Sequence, residues 1–191
     1  MSPARLLLAS GSPRRLELLA QIGITPDQVF HPDIDETPLR DEAPRLYALR
    51  LAHAKATAAP ADTALVLAAD TVVAAGRRIL PKAETPEQAQ RCLALLSGRR
   101  HRVLTAVVLA TGAGSRRERI CESVVAFARL TPQHIAAYLD SGEWQGKAGG
   151  YAIQGRAASF VRFLSGSYSN VVGLPLFETA QLLRGAGWAV P

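Results

Sequence analysis

The chain has 191 residues, 48% of them hydrophobic and 20% charged, which is enough to bury a sizeable core. Its formal charge of +6 favours phosphate-bearing partners without distinguishing nucleic acids from nucleotides. No apolar run approaches the ~20 residues that span a bilayer, and the N-terminal region shows no signal-peptide cleavage site. Cys92 and Cys121 are too few for a disulfide framework or a zinc site. We therefore expect a soluble, cytoplasmic protein without a membrane segment.

The first elements are a strand, from the apolar run Leu6–Ala9, and a helix that carries Leu16, Leu18, Leu19 and Ile22. Between them lies the stretch SGSPRR, residues 10–15. Ser12 is placed to cap the helix, and Pro13 suits the first helical position.

Arg14 and Arg15 then fall in the first helical turn, where positive charge opposes the helix dipole. This placement predicts a bound anion, most simply phosphate, held by backbone N–H groups and guanidinium groups. The alternative is an ordinary turn with two solvated arginines, and this stretch alone leaves both interpretations open.

A short strand over 28–31 leads into an acidic loop, residues 33–38, which contains Glu36. A helical pattern runs from Asp41, a plausible cap, to Ala59. Lys55 lies near the C-terminal end of this helix, where a cation is favoured, so we expect it on the surface.

The almost wholly apolar run Thr63–Ala75 predicts a buried central strand whose only charge is Asp70. A carboxylate in such a run is costly unless it is paired, hydrogen-bonded or bound to a cation. We interpret Asp70 as functional; a structural role in capping a neighbouring turn is the alternative.

The rest of the chain mixes helices with strands, and it shows neither an internal repeat nor a linker. The patterns predict a hairpin turn at 76–78, a helix with a capping box at Thr85 that ends at 97–98, and strands over 101–111 and 119–129 joined by a turn at 112–114. A short helix from Thr131 to about 141, a strand over 157–164, a polar turn at 166–170 and a last helix over 176–184 follow. We expect an α/β fold with a mixed sheet and one domain, residues 1–191.

A glycine-rich segment, residues 143–155, carries Lys147 and Gln154. Its glycines permit close approach of the backbone to a ligand, although a mobile surface loop would have the same composition. Only three of the 22 basic residues are lysines, which favours placed rather than random ammonium groups.

Cations and carboxylates together form the inventory for hydrolysing a polyphosphate. The cations neutralise phosphoryl oxygens, and the carboxylates hold a divalent metal or activate water. The absence of a His or Cys cluster favours Mg²⁺ or Mn²⁺ over zinc, and no GxxxxGK[ST] motif is present. The candidate cations are Arg14, Arg15, Lys55, Lys82 and Lys147; the candidate carboxylates are Glu36 and Asp70, with Asp33 and Asp35 nearby.

Several motifs, in this order and spacing, resemble those of the Maf family of nucleoside triphosphate pyrophosphatases over nearly the whole chain. They are LLLASGSPRRLELLAQIGI, AADTVV, LPKA, LSGR, GKAGGYAIQG and SGSYSNVVGLPL. The resemblance implies an elongated mixed sheet flanked by helices, with two lobes around a cleft, as in the inosine triphosphate pyrophosphatases. It also implies a cytoplasmic enzyme that cleaves nucleoside triphosphates to the monophosphate and pyrophosphate, and homodimers are common in the family.

The resemblance also implies roles for individual residues. Asp70 would be the proton acceptor that activates water, and Arg14, Thr71 and Gln154 would determine substrate choice. Ser10, Glu36, Lys55 and Lys82 would be further polar positions that line the cleft. From the residues themselves we expect Ser10, Arg15, Lys55 and Lys82 to bind substrate or phosphate, with support of the lobe as the alternative for Arg15. Glu36 and Asp70 are the expected ligands of a divalent metal (Mg²⁺ or Mn²⁺).

Within the family, the YAIQG and SGSYSN stretches resemble the branch that acts on dTTP and UTP. The branch acting on 7-methyl-GTP has a Phe-Lys-Ser-Glu run where this chain has residues 151–154. The amide of Gln154 offers a donor and an acceptor, which match O4 and N3–H of uracil or thymine. Modified pyrimidine nucleotides with the same edge would also be substrates, in a role of cleaning nucleotide pools.

Two other classes of function compete with this interpretation. A nucleic-acid-binding module would need a basic stripe with interleaved aromatics, but aromatics are only 6% of the chain and the arginines are dispersed apart from Arg116, Arg117 and Arg119. A regulatory role in cell division and septum formation, historically attached to the family, stays open as an additional activity.

Overall fold

The computed structural model describes residues 5–60, 65–112 and 114–190. Nine strands and six α-helices alternate along this part of the chain. The strands are β1 (Leu6–Ala9), β2 (Gln28–Phe30), β3 (Leu65–Ala75), β4 (Arg78–Leu80), β5 (Lys82–Ala83), β6 (Arg100–Ala110), β7 (Arg116–Phe127), β8 (Lys147–Ala148) and β9 (Val161–Ser165). The helices are α1 (Pro13–Gln21), α2 (Pro44–Ala58), α3 (Pro86–Leu96), α4 (Pro132–Leu139), α5 (Tyr168–Val172) and α6 (Leu176–Gly185), with a 3₁₀ turn over Arg156–Phe160.

The main sheet is mixed, as predicted. Its strand order is β2-β1-β3-β6-β7-β9, with β4 paired to the end of β3, while β5 and β8 form a separate two-stranded ladder. The pairs β2–β1 and β1–β3 are parallel, and all other pairs in the main sheet are antiparallel. The α/β fold with a mixed sheet flanked by helices is therefore confirmed.

The strand β3 changes partners along one edge. β1 covers this edge at Leu65–Ala68 and β4 covers it at Val73–Ala75, so within the described residues the edge between them, positions 69–72, has no strand partner. The chain also leaves β1 towards β2 on one side and reaches β3 on the other. Such a crossover beyond the carboxyl end of a parallel strand is where α/β sheets form ligand crevices.

The two faces of the sheet bury different helices, because successive side chains of a strand point to opposite faces. On one face Leu67 packs in a cluster with Leu18 and Leu19 of α1. On the other face Val66 and Ala68 pack with Ala48, Ala52 and Ala56 of α2. Continuing the alternation along β3 directs Asp70 towards α2 and Thr71 towards α1.

Most predicted elements are confirmed. These include the short strand after α1, the hairpin turn after β3, the Thr85–Gln88 capping box that begins α3, and the last helix. In the long strand predicted over 63–75, Thr63 and Ala64 lie outside the described residues, as does Ala113 in the turn between β6 and β7.

One predicted helix cap is wrong, and another is confirmed in position only. α2 begins at Pro44 after Ala43, not at Asp41, which instead lies in a turn with a positive φ of 57°. Ser12 is the N-cap residue of α1, but its side chain makes no capping hydrogen bond. The Oγ of Ser10 accepts the backbone N–H of Ser12 at 3.2 Å instead.

The C-terminal third also differs from prediction. The strand predicted over 157–164 begins as the 3₁₀ turn and becomes β9 only at Val161, and the polar turn predicted over 166–170 is largely the short helix α5, capped by Ser167. The polar residues typical of a turn have other roles here: Ser167 caps α5, and the Asn170 amide donates to Val103 O in the sheet. Among the described residues, no helix combines the length and apolar character needed to cross a membrane.

Candidate active site

A cavity of about 390 Å³ opens where β3 changes partners. This volume lies within the range of roughly 300–1,000 Å³ that is usual for small-ligand pockets. The structure brings all the predicted site residues to its walls, although they are dispersed over more than 140 positions of the sequence. They are Ser10, Arg14, Arg15, Glu36, Lys55, Asp70, Thr71, Lys82, Lys147 and Gln154.

Asp70 is buried, with 2% of its surface exposed, and it is paired with a buried cation. The Nζ of Lys55 lies 2.5 Å from Asp70 Oδ1 and 2.8 Å from Glu36 Oε1. The predicted surface position of Lys55 is therefore wrong, since the residue is only 6% exposed. The face of α2 that carries Lys55 packs on the sheet, and two carboxylates compensate the loss of water around its ammonium group.

Glu36 links two of the three lysines that line the cavity, Lys55 and Lys82. Its Oε2 accepts a hydrogen bond from Lys82 Nζ, while Oε1 faces Lys55. Burial alone would raise the pKa of Glu36, but the two ammonium groups outweigh burial, and the pKa lies below its usual value. Glu36 is thus an ionised carboxylate at neutral pH.

Arg15 is buried and bonded to the protein on three sides. It donates to Gly173 O at 2.8 Å, to Ser10 Oγ at 2.9 Å and to Thr71 Oγ1 at 3.2 Å. These bonds occupy three of the five N–H donors of a guanidinium group. Arg15 therefore joins the turn after β1, the open edge of β3 and the turn before α6.

Thr71 occupies the position next to Asp70 but on the opposite face of the strand. Besides Arg15, its Oγ1 contacts Thr105 Oγ1 at 3.0 Å and Gly173 O at 3.3 Å. Thr105 in turn donates to Asn170 O at 3.1 Å. These hydroxyl contacts fix the position of Thr71 on the cavity wall relative to α5.

Arg14 and Lys147 are cations without a carboxylate partner among the described residues. Arg14 donates to Val172 O at 3.3 Å, and Lys147 Nζ donates to Gln145 O at 3.0 Å. Burial lowers the pKa of both groups, and the charge of Arg14 lowers that of Lys147 further. Two partly buried like charges on one cavity wall favour the binding of an anion between them.

The glycine-rich segment is held against the sheet. β8 pairs with β5 so that Lys82 lies opposite Ala148, and Gly149 N–H donates to Pro81 O at 3.0 Å. Gly149 has a φ of +68°, and a Cβ there would lie 2.8 Å from a methyl carbon of Val73. This glycine therefore permits close approach to β3 rather than, as expected, to a ligand.

Gln154 is exposed on the cavity wall, on a segment anchored by aromatic residues. Tyr138 accepts the Ala152 N–H at 3.0 Å, and the Tyr151 hydroxyl lies 2.8 Å from His101 Nε2. Burial lowers the pKa of His101 to about 4, so this imidazole is neutral at physiological pH. Sequence reasoning missed these anchors, because aromatic and His residues in apolar strands look like ordinary core residues.

The donor set is compatible with a divalent cation that arrives with a phosphorylated ligand. The described residues contain no cluster of three or more His, Cys, Asp or Glu side chains able to hold a metal. Glu36 and Asp70 nevertheless converge on one point, now held by the Lys55 ammonium group. Mg²⁺ commonly takes one or two protein carboxylates and completes its shell with water and substrate phosphates.

The α/β fold thus carries a cavity lined by cations and carboxylates at the crossover of its parallel strands. The family described as "Maf-like protein" matches residues 5–186, and the chain belongs to this family. A dTTP/UTP pyrophosphatase of Rhodospirillum rubrum is 61% identical, over 98% of this chain and 90% of the relative. A dTTP/UTP pyrophosphatase of Granulibacter bethesdensis is 59% identical, over 96% and 93% respectively.

A solved structure is similar in fold at low sequence identity. The HAM1 protein of Coxiella burnetii matches with a TM-score of 0.52 and 18% identity, over 95% of this chain and 99% of that chain. This likeness supports the elongated mixed sheet and its flanking helices.

Proposed function

We propose that this chain hydrolyses dTTP and UTP to the nucleoside monophosphate and pyrophosphate. The family and the relatives at 59–61% identity support this activity. The observation that carries the proposal is the buried Asp70–Lys55–Glu36 arrangement on a cavity with unpaired cations. It combines a carboxylate base, an ammonium group and an anion site, and these groups suit the hydrolysis of a phosphate anhydride.

In the proposed reaction Asp70 accepts a proton from water. The water oxygen bonds to the α-phosphorus, the bond from that phosphorus to the α–β bridging oxygen breaks, and pyrophosphate leaves with this oxygen. The substrate phosphates would draw the Lys55 ammonium group away from Asp70, which frees the carboxylate to act as the base. Lys55 would then neutralise charge that develops on the phosphoryl oxygens.

The triphosphate would lie along the cationic walls of the cavity. We assign Arg14, Lys147 and Lys82 to the triphosphate, because within the described residues the first two make no ion pair with a carboxylate and Lys82 pairs with Glu36 alone. Arg15 would hold the geometry of Ser10 and Thr71, with two N–H donors left for phosphate.

Glu36 and Asp70 would hold a divalent metal, Mg²⁺ or Mn²⁺, together with the substrate phosphates. Bound there, the metal would neutralise phosphoryl charge and lower the pKa of a coordinated water.

Gln154 would select the base. Its exposed amide on the cavity wall can donate to O4 and accept from N3–H of uracil or thymine. Where the bound nucleotide shields this amide from water, a hydrogen bond left unmade costs about 1–3 kcal/mol, or roughly five- to 150-fold in selectivity. Modified pyrimidines that keep this edge would also be accepted.

The test is a panel of nucleoside triphosphates, incubated with the purified protein and either Mg²⁺ or Mn²⁺, with release of pyrophosphate and monophosphate measured. Turnover of dTTP and UTP above purine nucleotides is expected. No release from either pyrimidine nucleotide with either metal would refute the assignment.

Base selection is tested separately with Gln154→Glu. The matched control is Gln145→Glu, since Gln145 lines the same cavity. We expect the ratio of kcat/KM for UTP over GTP to fall only in the Gln154 variant. An unchanged ratio would remove Gln154 from base recognition.

A further inference from the structure

Glu36 lies on a segment without regular secondary structure, residues 31–43, between β2 and α2. Its carboxylate must nevertheless stand at a defined place, because it bonds both Lys55 and Lys82. A side chain on an irregular segment keeps its position only if the backbone beneath it is held by other groups.

Two side chains on α2 hold this backbone. The Tyr47 hydroxyl donates to Glu36 O at 2.6 Å, and Arg50 Nη2 donates to Thr37 O at 3.1 Å. We propose that Tyr47 and Arg50 are positioning residues that hold the Glu36 peptide in register with Lys55, an inference that rests on the proposed function.

Arg50 is itself fixed by a bidentate ion pair. Its Nε lies 2.7 Å from Glu42 Oε1 and its Nη2 lies 2.8 Å from Glu42 Oε2, while Oε2 also accepts the Leu39 N–H at 3.0 Å. The guanidinium carbon lies 5.4 Å from the centre of the Tyr47 ring. A planar fork bonded at both nitrogens and stacked on an aromatic ring has little freedom to move.

The direction of the bond from Tyr47 follows from its partner. A backbone carbonyl can only accept, so the half-buried Tyr47 hydroxyl is the donor to Glu36 O. This bond fixes the peptide of Glu36 and leaves its carboxylate free to bond the two lysines.

The helix α2 thereby positions both partners of the Lys55–Glu36 ion pair. Lys55 follows Tyr47 by eight residues on α2, so the same rigid helix holds the Lys55 ammonium group and the Glu36 peptide. A shift of the 31–43 segment would move the Glu36 carboxylate without moving Lys55 or Asp70. Turnover would fall through misplacement, although every group that touches the substrate would still be present.

The experiment compares Tyr47→Phe and Arg50→Met with the wild type, with Arg45→Met as the matched control. Arg45 lies on the same helix and is exposed, and its side chain makes no hydrogen bond or ion pair to the described residues. Amide hydrogen exchange over residues 31–43 and steady-state kinetics with UTP are measured for each variant. Both positioning variants should exchange faster over 31–43 and lose about tenfold in kcat, as removal of supporting hydrogen bonds typically does, with KM changed less than about threefold.

The decisive arm repeats Tyr47→Phe in a Glu36→Gln background, at enzyme concentrations that make the residual rate measurable. If Tyr47 acts through Glu36, Tyr47→Phe should lower kcat by less than about twofold in the Glu36→Gln background. An equal loss in both backgrounds, or unchanged exchange over 31–43, would overturn the proposal. If the wild type turns over neither UTP nor dTTP, the proposed function fails, and the exchange comparison alone decides whether these residues hold the segment.

Discussion

Replacing Lys55 with methionine tests how the central charge cluster contributes to folding. The substitution keeps an unbranched side chain of similar length but removes the ammonium group that contacts Asp70 at 2.5 Å. Asp70 is 2% exposed, and this is its only side-chain hydrogen bond within the described parts of the chain. Removing one partner of a buried ion pair costs about 3–5 kcal/mol, because the other charge stays buried without compensation.

Two further variants separate this effect from loss of packing. Adding Asp70→Asn to Lys55→Met removes the stranded charge, so we expect about half or more of the lost stability to return. Lys82→Met is the exposed control: its side chain is 45% exposed in its ion pair with Glu36, and such pairs contribute about 0–1 kcal/mol.

The assay is urea unfolding at neutral pH, followed by circular dichroism and by the fluorescence of the buried Trp144. A loss below about 1 kcal/mol in Lys55→Met would show that the cluster carries no buried uncompensated charge. A double variant no more stable than the single one would equally refute the reasoning.

Three more predictions follow from the same structure. Asp70→Asn should lower kcat for UTP by about 10²–10⁴-fold with little change in KM, measured as pyrophosphate release, because it removes the proposed proton acceptor; normal turnover would exclude that role. The pKa of Glu36 is lowered in the folded protein, so the ionised Glu36 stabilises the fold at any pH above the ordinary carboxyl pKa. This stabilisation is lost as the pH falls through the pKa that Glu36 has in the folded protein. The wild type should therefore lose more stability than Glu36→Gln between neutral pH and pH ~3, and equal losses in the two proteins would contradict this. Gly149→Ala should lower the free energy of unfolding in urea by about 1–3 kcal/mol more than Gly146→Ala does. Both glycines have a positive φ, but only at Gly149 would a Cβ lie 2.8 Å from Val73. Equal losses in the two variants would exclude the steric cause.

The sequence indicates Asp70 and the arginines of α1 because each breaks a local rule. A carboxylate in an apolar strand and cations at a helix N-terminus are both costly unless a partner exists elsewhere. The structure supplies these partners as Lys55 for Asp70 and, for Arg15, the carbonyl of Gly173.

Lys55 shows that a residue that breaks no local rule can still be buried. Near a helix C-terminus a lysine satisfies every local rule, so nothing in its surroundings along the chain marks it as buried. Its burial results from the packing of α2 on β3, and the sequence pattern of one helix does not contain that contact.

Tyr47 and Arg50 could not be identified from sequence for a related reason. Their acceptors are backbone carbonyls, of Glu36 and Thr37, and a carbonyl leaves no residue-type signature. The misplaced cap at Asp41 had the same origin, because the segment before α2 is organised by the Glu42–Arg50 pair rather than by a capping side chain.

The hydrogen bond from Arg15 to Gly173 joins residues 158 positions apart. During synthesis, β1 and α1 emerge first, but the buried guanidinium of Arg15 lacks this acceptor until the segment before α6 has been made and has docked. Contacts of such long sequence separation form late because closing the loop is entropically costly. The cavity is therefore completed only after the segment around Gly173 has docked, and a fragment that ends before Gly173 would contain Glu36 and Asp70 without a finished site.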